Sequence, residues 1–460
     1  MGERELVGVG GLALLFVLLG LRVPVGLAML ITGIAGNLAL SIVAPFLRFE
    51  PYIRQFKTVF FGNVANYDLS VVPLFILMGY LASETEMSRD LFQGLRAFVG
   101  RIRGGLAMAA IAACAGFGAV CGSSLATAST MGRVALPELR RMNYAPRLAT
   151  GALAAGGTLG ILIPPSVALI IYAIIVEASI IEIFQAAMIP GLIAVGFFIA
   201  VIAILTRLRP QLAPALDDMA DAERRIAILR LLPILAIFLG IIFGLGFGLF
   251  APTPAAAVGV FAITAYGLVL RRFGRGLTLA RFRRSILQTA VTAGMITFIL
   301  FGAALLASFF GRAGLPAALA GWASSSGYDP WIVLIAMLAL LIVLGCFMES
   351  LAMILVVVPF FWPALIELNG GDFVTPATAA YGLGTEDLKL WFGVLALVVV
   401  ELGLITPPVG LNVFIISSLA RDVPMLETFK GVMPFFLAEL VRISLLLALP
   451  VLTLWLPRVL

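Results

Sequence analysis

Two proline pairs are the residues of this chain best placed to do chemistry. Ile163-Pro164-Pro165-Ser166 lies within one apolar segment and Thr406-Pro407-Pro408-Val409 within another, and each pair follows a glycine four residues before its first proline, Gly160 and Gly403. Proline has no N–H, and its ring clashes with the carbonyl four residues back. The pairs are therefore expected to free the carbonyls of Gly160 and Ile161, and of Gly403 and Leu404. A backbone oxygen left free at membrane depth is costly unless something occupies it. Helices broken at matched positions in two halves of a membrane protein point to the binding site of a secondary transporter.

Other oxygens cluster in two short turns. Cys121-Gly122-Ser123-Ser124 is followed by Thr127, Ser129 and Thr130, and a second turn is expected near Gly345-Cys346-Phe347-Met348-Glu349-Ser350. A turn at membrane depth needs glycine for its dihedrals and hydroxyls for its backbone groups. The plainer reading of scattered Gly and Ser is close helix packing. At these tips, facing freed carbonyls, the donor set suits a hard alkali cation, which takes oxygen ligands as calcium does among divalent ions. The C-terminal end of each first half-helix adds partial negative charge there. The N-terminal N–H groups of the second half-helix can face an anion. Each half thus offers a cation site beside a possible carboxylate site. Glu349 and Glu401 lie at membrane depth, where charge is expensive and usually functional; a snorkelling or buried structural carboxylate is the alternative. Arg133, several turns past the first tip, is read as structural.

These sites need a membrane scaffold. Hydrophobic residues make up 62% and charged residues 12% of 460, which excludes an ordinary soluble domain. There is room for about ten or more crossings of ~20 residues each. The apolar runs are continuous, which excludes a β-barrel. A net charge of +6 does not mean nucleic acid, because the basic residues cluster at segment ends. With no histidine and no CxxC pair, imidazole haem or zinc ligation is excluded. Cys114, Cys121 and Cys346 read as packing residues. The run Leu6–Leu21 reads as a retained first helix rather than a signal peptide.

The chain also reads as a duplication. Phe75–Gly79 matches Phe298–Gly302, Ser124-Leu125-Ala126 matches Ser350-Leu351-Ala352, the proline pairs match, and Glu182, Phe184 and Met188 match Glu427, Phe429 and Met433. The order is kept, with an insertion seen as the polar stretch Asn369–Lys389. The expected layout is a first repeat over residues 1–206, a connector over 207–230 and a second repeat over 231–460. Residues 104–139 and 316–368 would be re-entrant hairpins, and 147–177 and 390–418 broken helices. Arg101, Arg103, Arg140, Arg141 and Arg147 place both ends of the first hairpin in the cytoplasm. Around the second stand Arg312, then Glu367, Asp372, Glu386 and Asp387, which place its ends outside. The expected fold is an all-α polytopic membrane protein with an inverted-topology repeat. Arg271, Arg272, Arg275, Arg281, Arg283 and Arg284 fit a cytoplasmic loop. Arg48, Arg54 and Lys57 break the pattern and suggest a surface or partner role.

At these residues the chain resembles the large membrane (M) subunit of tripartite ATP-independent periplasmic (TRAP) transporters, the DctM-like family. The likeness covers nearly the whole chain. It is most specific from Gly116 through the first tip to Ala128, at Gly160–Ser166 and at Gly403–Gly410, with Met188-Ile189-Pro190-Gly191 also fitting. The resemblance implies a sodium-driven, elevator-type importer of organic anions, usually carboxylates or sialic acid, in the bacterial inner membrane. A periplasmic binding protein would deliver the substrate, and a small four-helix membrane (Q) subunit would widen the scaffold. By motif, one sodium site would use Ser123, Ser124, Gly160, Ile163 and Pro165, and the other Gly345, Gly403, Thr406 and Val409. Ser124, Thr127, Ser166 and Asn412 would line the substrate path. No organic cofactor or transition metal is implied. Two departures stand out: Thr253-Pro254 replaces the family's frequent Thr-Glu, and the Asn369–Lys389 insertion is long. A single-component carrier of similar architecture is the first alternative. An intramembrane enzyme or respiratory subunit is the second, with little in the residues to support it.

Overall fold

The computed structural model describes residues 2–21, 23–214, 219–272, 274–325 and 327–460. Residues 215–218 of the expected connector and residue 326 of the expected second hairpin lie outside these. In chain order the first half holds α1 (Glu3–Gly20), α2 (Val25–Val43), α3 (Phe49–Ala65), α4 (Val71–Glu84), α5 (Met87–Val99), α6 (Gly105–Cys121), α7 (Ser124–Arg141), α8 (Pro146–Leu162), α9 (Val167–Ile175) and α10 (Ile180–Leu208). The second half holds α11 (Asp221–Gly246), α12 (Pro252–Arg271), α13 (Leu279–Ala313), α14 (Leu315–Ser325), α15 (Pro330–Gly345), α16 (Ser350–Asn369), α17 (Thr385–Gly403), α18 (Leu411–Leu419), α19 (Met425–Ala448) and α20 (Val451–Val459).

Among the described residues, seven helices are long and apolar enough to span a bilayer, or nine if each of two bent pairs is one span. That is fewer than the apolar content leaves room for. The difference lies in helices that do not cross singly. The 17-residue α6 and 16-residue α15 fall short of the ~20 residues a crossing needs. The α17 segment breaks before α18. One bent pair is α8 with α9, at 45°. The other is α4 with α5, at 68°, where Glu86 takes a left-handed φ of 63°; no proline announces that break. The Asn369–Lys389 stretch is partly helical, since α17 begins at Thr385. The rest is an ordered loop. Asn369 donates to the Leu383 carbonyl and accepts from the Tyr381 N–H.

Two groups of helices emerge from the packing. Helices α1 to α5 associate with α11, α12 and α13, the tightest pair being α2 on α13. Gly26, Gly33 and Gly36 of α2 leave room there for Phe298, Leu305 and Phe309. The second group, α6 to α10 with α15 to α20, surrounds the two breaks. Within it the halves contact each other reciprocally. Helix α7 packs on α18 while α16 packs on α9, and α8 packs on α19 while α17 packs on α10. Such exchanged pairings are what a two-fold relation between halves produces.

Charges inside this group are paired. Arg442 and Glu439 of α19 are fully buried together, and Arg442 Nε donates to Glu439 at 2.9 Å. Arg442 also donates to the Pro190 carbonyl of α10 at 3.0 Å. The pair pins α19 to α10 and leaves Glu439 Oε1 without a partner among the described residues. Truncating one member of a buried pair strands the other charge at a cost of about 3–5 kcal/mol. Arg442→Leu should lower the melting temperature sharply in detergent, and adding Glu439→Leu should restore most of the loss. Gly118 of α6 meets Gly160 of α8 so closely that a Cβ at Gly118 would overlap the Gly160 backbone. Gly118→Ala should cost about 1–3 kcal/mol or more, whereas Gly196→Ala in open space on α10 should be neutral or slightly stabilising.

Candidate functional site

The first tip is a two-residue turn. Helix α6 ends at Cys121, Gly122 turns at φ 63°, and Ser123 caps α7 by accepting from the Ala126 N–H. The turn abuts the first break, since a Cβ on Gly122 would lie 3.4 Å from the Pro165 carbonyl oxygen and 3.3 Å from the Val167 nitrogen. A Cβ on Gly160 would overlap Thr127 Oγ1 and lie 3.0 Å from the Ser123 carbonyl oxygen. Gly122 thus adjoins Pro165 and Gly160 adjoins Ser123; Ser124, Gly160, Ile163 and Pro165 are buried and Ser123 is half-buried. Among the described residues, no N–H donates to the carbonyls of Gly160, Ile161, Leu162 or Ile163. Thr127 Oγ1, fully buried, also has no partner there. These donors are all oxygens, unsatisfied and enclosed, which fits a hard cation.

The second break differs. Its Pro407-Pro408 bond is cis, as is Pro164-Pro165. Gly345 at the end of α15 lies against Gly403, each leaving no space for a side chain on the other. Yet the carbonyls expected to be free are taken. Gly403 accepts from the Thr406 N–H at 3.0 Å, and Leu404 from the Asn412 N–H at 3.1 Å. The chain curls back after the prolines and supplies backbone donors that the loss of a helical N–H does not foretell. The carbonyls of Ile405 and Thr406 receive no N–H among the described residues. Thr406 Oγ1 donates to the Leu402 carbonyl at 2.6 Å, which leaves its lone pairs available. Pro407 and Pro408 are exposed and Val409 half-buried, whereas residues 161–166 are all buried. The first site is enclosed; the second opens outward.

Of the residues expected on a substrate path, Ser166 caps α9 through the Leu169 N–H. Thr127 and Asn412 face the glycine side of α8, where Gly157 abuts Asn412 Nδ2 and Gly160 abuts Thr127. Asn412 Oδ1 has no partner among the described residues. Ser124 donates to Glu401. None of these four lines the cavity beside the first tip. That cavity, about 140 Å³, is walled by the tip residues Gly122 and Ser123, by Thr130, by Tyr80 and Ser83 of α4, by Thr292 of α13 and by Glu349 of the second tip. It therefore lies between the two helix groups. Tyr80 and Thr292 share a hydrogen bond of 2.8 Å across its wall. Reading the sequence did not find Tyr80, Ser83 or Thr292. Hydroxyls inside apolar helices are a weak signal, because most bond back to their own helix. Glu439 and Arg442 were also passed over, although opposite charges three residues apart inside an apolar run are a usable sign.

Glu401 joins the two tips. It is 1% exposed on α17, and its carboxylate accepts from Ser124 Oγ of the first tip at 2.5 Å and from Ser350 Oγ of the second. Two hairpins from opposite halves of the chain thus meet on one side chain.

The family described as "Tripartite ATP-independent periplasmic transporter, DctM component" matches residues 12–452. The C4-dicarboxylate TRAP transporter large permease protein DctM of Pseudomonas aeruginosa is 32% identical over 423 residues, 92% of this chain and 94% of that one. The sialic acid TRAP transporter large permease protein SiaM of Vibrio cholerae is 29% identical over 400 residues, 86% and 88% of the two chains. Among solved structures, the YdaH transporter of Alcanivorax borkumensis superposes with a TM-score of 0.62 at 16% identity, covering 86% of this chain and 88% of that one, which shows a shared fold. Its all-helical fold, interrupted helices and nearly full-length match make this chain a multi-pass membrane permease, a member of the family of DctM components of tripartite ATP-independent periplasmic transporters.

Proposed function

We propose that the chain imports a small organic anion of the carboxylate class across the bacterial inner membrane, coupled to sodium. The observation that carries this reading is the first break. Four consecutive backbone carbonyls there receive no N–H among the described residues, and the buried residues that carry them adjoin a hydroxyl-bearing tip through Gly160. Sodium, when bound, would supply the positive charge that such an oxygen cage lacks. Ser123, Ser124, Gly160, Ile163 and Pro165 would hold it at the first site, and Gly345, Gly403, Thr406 and Val409 at the second. The carboxylate class follows the relatives whose names give C4-dicarboxylates and sialic acid as cargo; another relative's name gives isethionate, a sulfonate. All three are organic anions.

The remaining parts of the reading rest on packing. The cavity between the helix groups is where a substrate would be handed from fixed to moving elements. The group around the breaks would slide as a unit against α1 to α5 and α11 to α13, an elevator motion. The reciprocal contacts between halves support an inverted repeat, with the hairpin over residues 104–139 entering from the cytoplasm and that over 316–368 from outside. A secreted binding protein would deliver the anion, and a small four-helix membrane subunit would complete the assembly.

The test is uptake into proteoliposomes holding the chain with its small membrane subunit. Radiolabelled carboxylates or sialic acid would be offered with the cognate binding protein outside. Accumulation should require both an inward sodium gradient and the binding protein. Ser124→Ala and Thr406→Ala should each raise the half-saturating sodium concentration by roughly tenfold, the loss of about one ligand's worth of free energy. Uptake indifferent to sodium would reject the coupling, and accumulation by the chain alone would favour a single-component carrier.

A further inference from the structure

Glu401 has surroundings that the cation sites do not by themselves explain. Its carboxylate is buried at membrane depth, and among the described residues it forms no ion pair; the arginine nearest in kind, Arg442, is taken by Glu439. A buried carboxylate without a positive partner costs several kcal/mol. The groups that do reach it are two serine hydroxyls, each the first residue of the second helix of a hairpin: Ser124 opens α7 and Ser350 opens α16. These helices are 18 and 20 residues long, and their positive ends converge on the carboxylate. Two hydroxyls and two half-charges offset part of the cost, but among the described residues no full positive charge is paired with it. Meanwhile both proposed cation sites lie one step away. Ser124 belongs to the first. Gly403, two residues along α17, and Gly345, five residues before Ser350, belong to the second. The other oxygens of both sites are neutral carbonyls and hydroxyls.

We propose that Glu401 is the shared counter-charge of the two cation sites, and that its bonds to Ser124 and Ser350 make occupancy of one site favour occupancy of the other. A cation drawn to either tip completes the missing positive charge beside this carboxylate. Once one cation orders a tip serine onto Glu401, the carboxylate is already fixed for the second, so part of its ordering cost falls away. The coupling is reciprocal, as linkage requires. Glu401 is thus a positioning residue: it touches neither substrate nor, by this assignment, the cations themselves. Its hold on both tips also closes the helix group around the breaks into one body.

The inference rests on the sodium reading, and the experiment separates the two. Purified protein would be melted in detergent across a sodium chloride series, with choline chloride holding ionic strength constant. Wild type should gain thermal stability with sodium along a sigmoidal curve. Glu401→Gln, which keeps the shape and removes the charge, should raise half-saturating sodium by about tenfold or more and flatten the curve to a hyperbola. Glu401→Asp, which keeps the charge but not the shape, should retain more of the sodium response than Glu401→Gln, the reverse of what a merely structural role would give. Ser350→Ala should also raise half-saturating sodium, although Ser350 is in neither proposed ligand set, and Ser350→Thr should restore it. No sodium effect in wild type would overturn the sodium reading itself. A sodium effect in wild type that Glu401→Gln or, should that variant not purify folded, Ser350→Ala leaves unchanged would overturn this proposal and leave the sodium reading standing.

Discussion

Unpaired oxygen in a medium without water is the constraint on which this molecule turns. Every backbone carbonyl released at membrane depth must find a donor or a cation. The two breaks answer the demand differently. At the second, the chain folds back after Pro407-Pro408 and meets Gly403 and Leu404 with its own N–H groups. At the first, the carbonyls from Gly160 to Ile163 receive no N–H among the described residues, and the residues that carry them are buried, with Gly160 against a hairpin tip. The residues of the first break are accordingly buried, while the second presents its prolines at the surface. An open oxygen cluster is tolerable only where the protein surrounds it.

Close backbone approach is what makes that enclosure possible. Gly118, Gly157 and Gly160 let α6 and α7 lie directly on α8, with side chains absent where they would intrude. Gly151 and Gly431 do the same between α8 and α19. Without a hydrophobic driving force in lipid, helices associate through such contacts and through interhelical hydrogen bonds. The small residues serve packing at the site itself: Gly160, whose carbonyl receives no N–H among the described residues, lies directly against Thr127. On the other side of the cavity, α4 and α13 contribute hydroxyls from helices that pack chiefly with the outer group. The cavity is therefore built from two bodies, and its shape depends on their relative position.

Charge is used sparingly inside the protein, and several charged groups join elements distant in the chain. Arg442 ties α19 to α10 through Pro190. Glu401 ties the first hairpin to the second. Near the helix ends, Arg275 draws the α12–α13 loop onto Asp90 and Glu86 of the α4–α5 bend. The lone Arg312 of the expected outer flank bonds the Asn37 side chain and the Arg48 carbonyl, fastening α13 to α2 and to the start of α3. That bond gives Arg48 a structural setting. Arg54 pairs locally with Glu50 on the same exposed helix.

Some of this was written in the chain itself. Proline cannot continue a helix, so both breaks, with the glycines that precede them, were legible to the residue. The same holds for the tips at Gly122 and at 346–349, because a reversal inside an apolar run needs glycine and hydroxyls. The membrane class followed from continuous apolar segments. Other features depend on partners distant in sequence. Whether a freed carbonyl stays free depends on which N–H folds back to it, and a local pattern cannot say that Leu404 meets Asn412 while Ile161 meets none. The cavity's hydroxyls, the bend at Glu86 and the joining of Ser124 and Ser350 on Glu401 arise where separate helices converge. Composition could mark Glu401 as an expensive charge; only the tertiary packing decided that two hairpin tips would share it, because hydrogen bonds are fixed by approach in space and not by spacing along the chain.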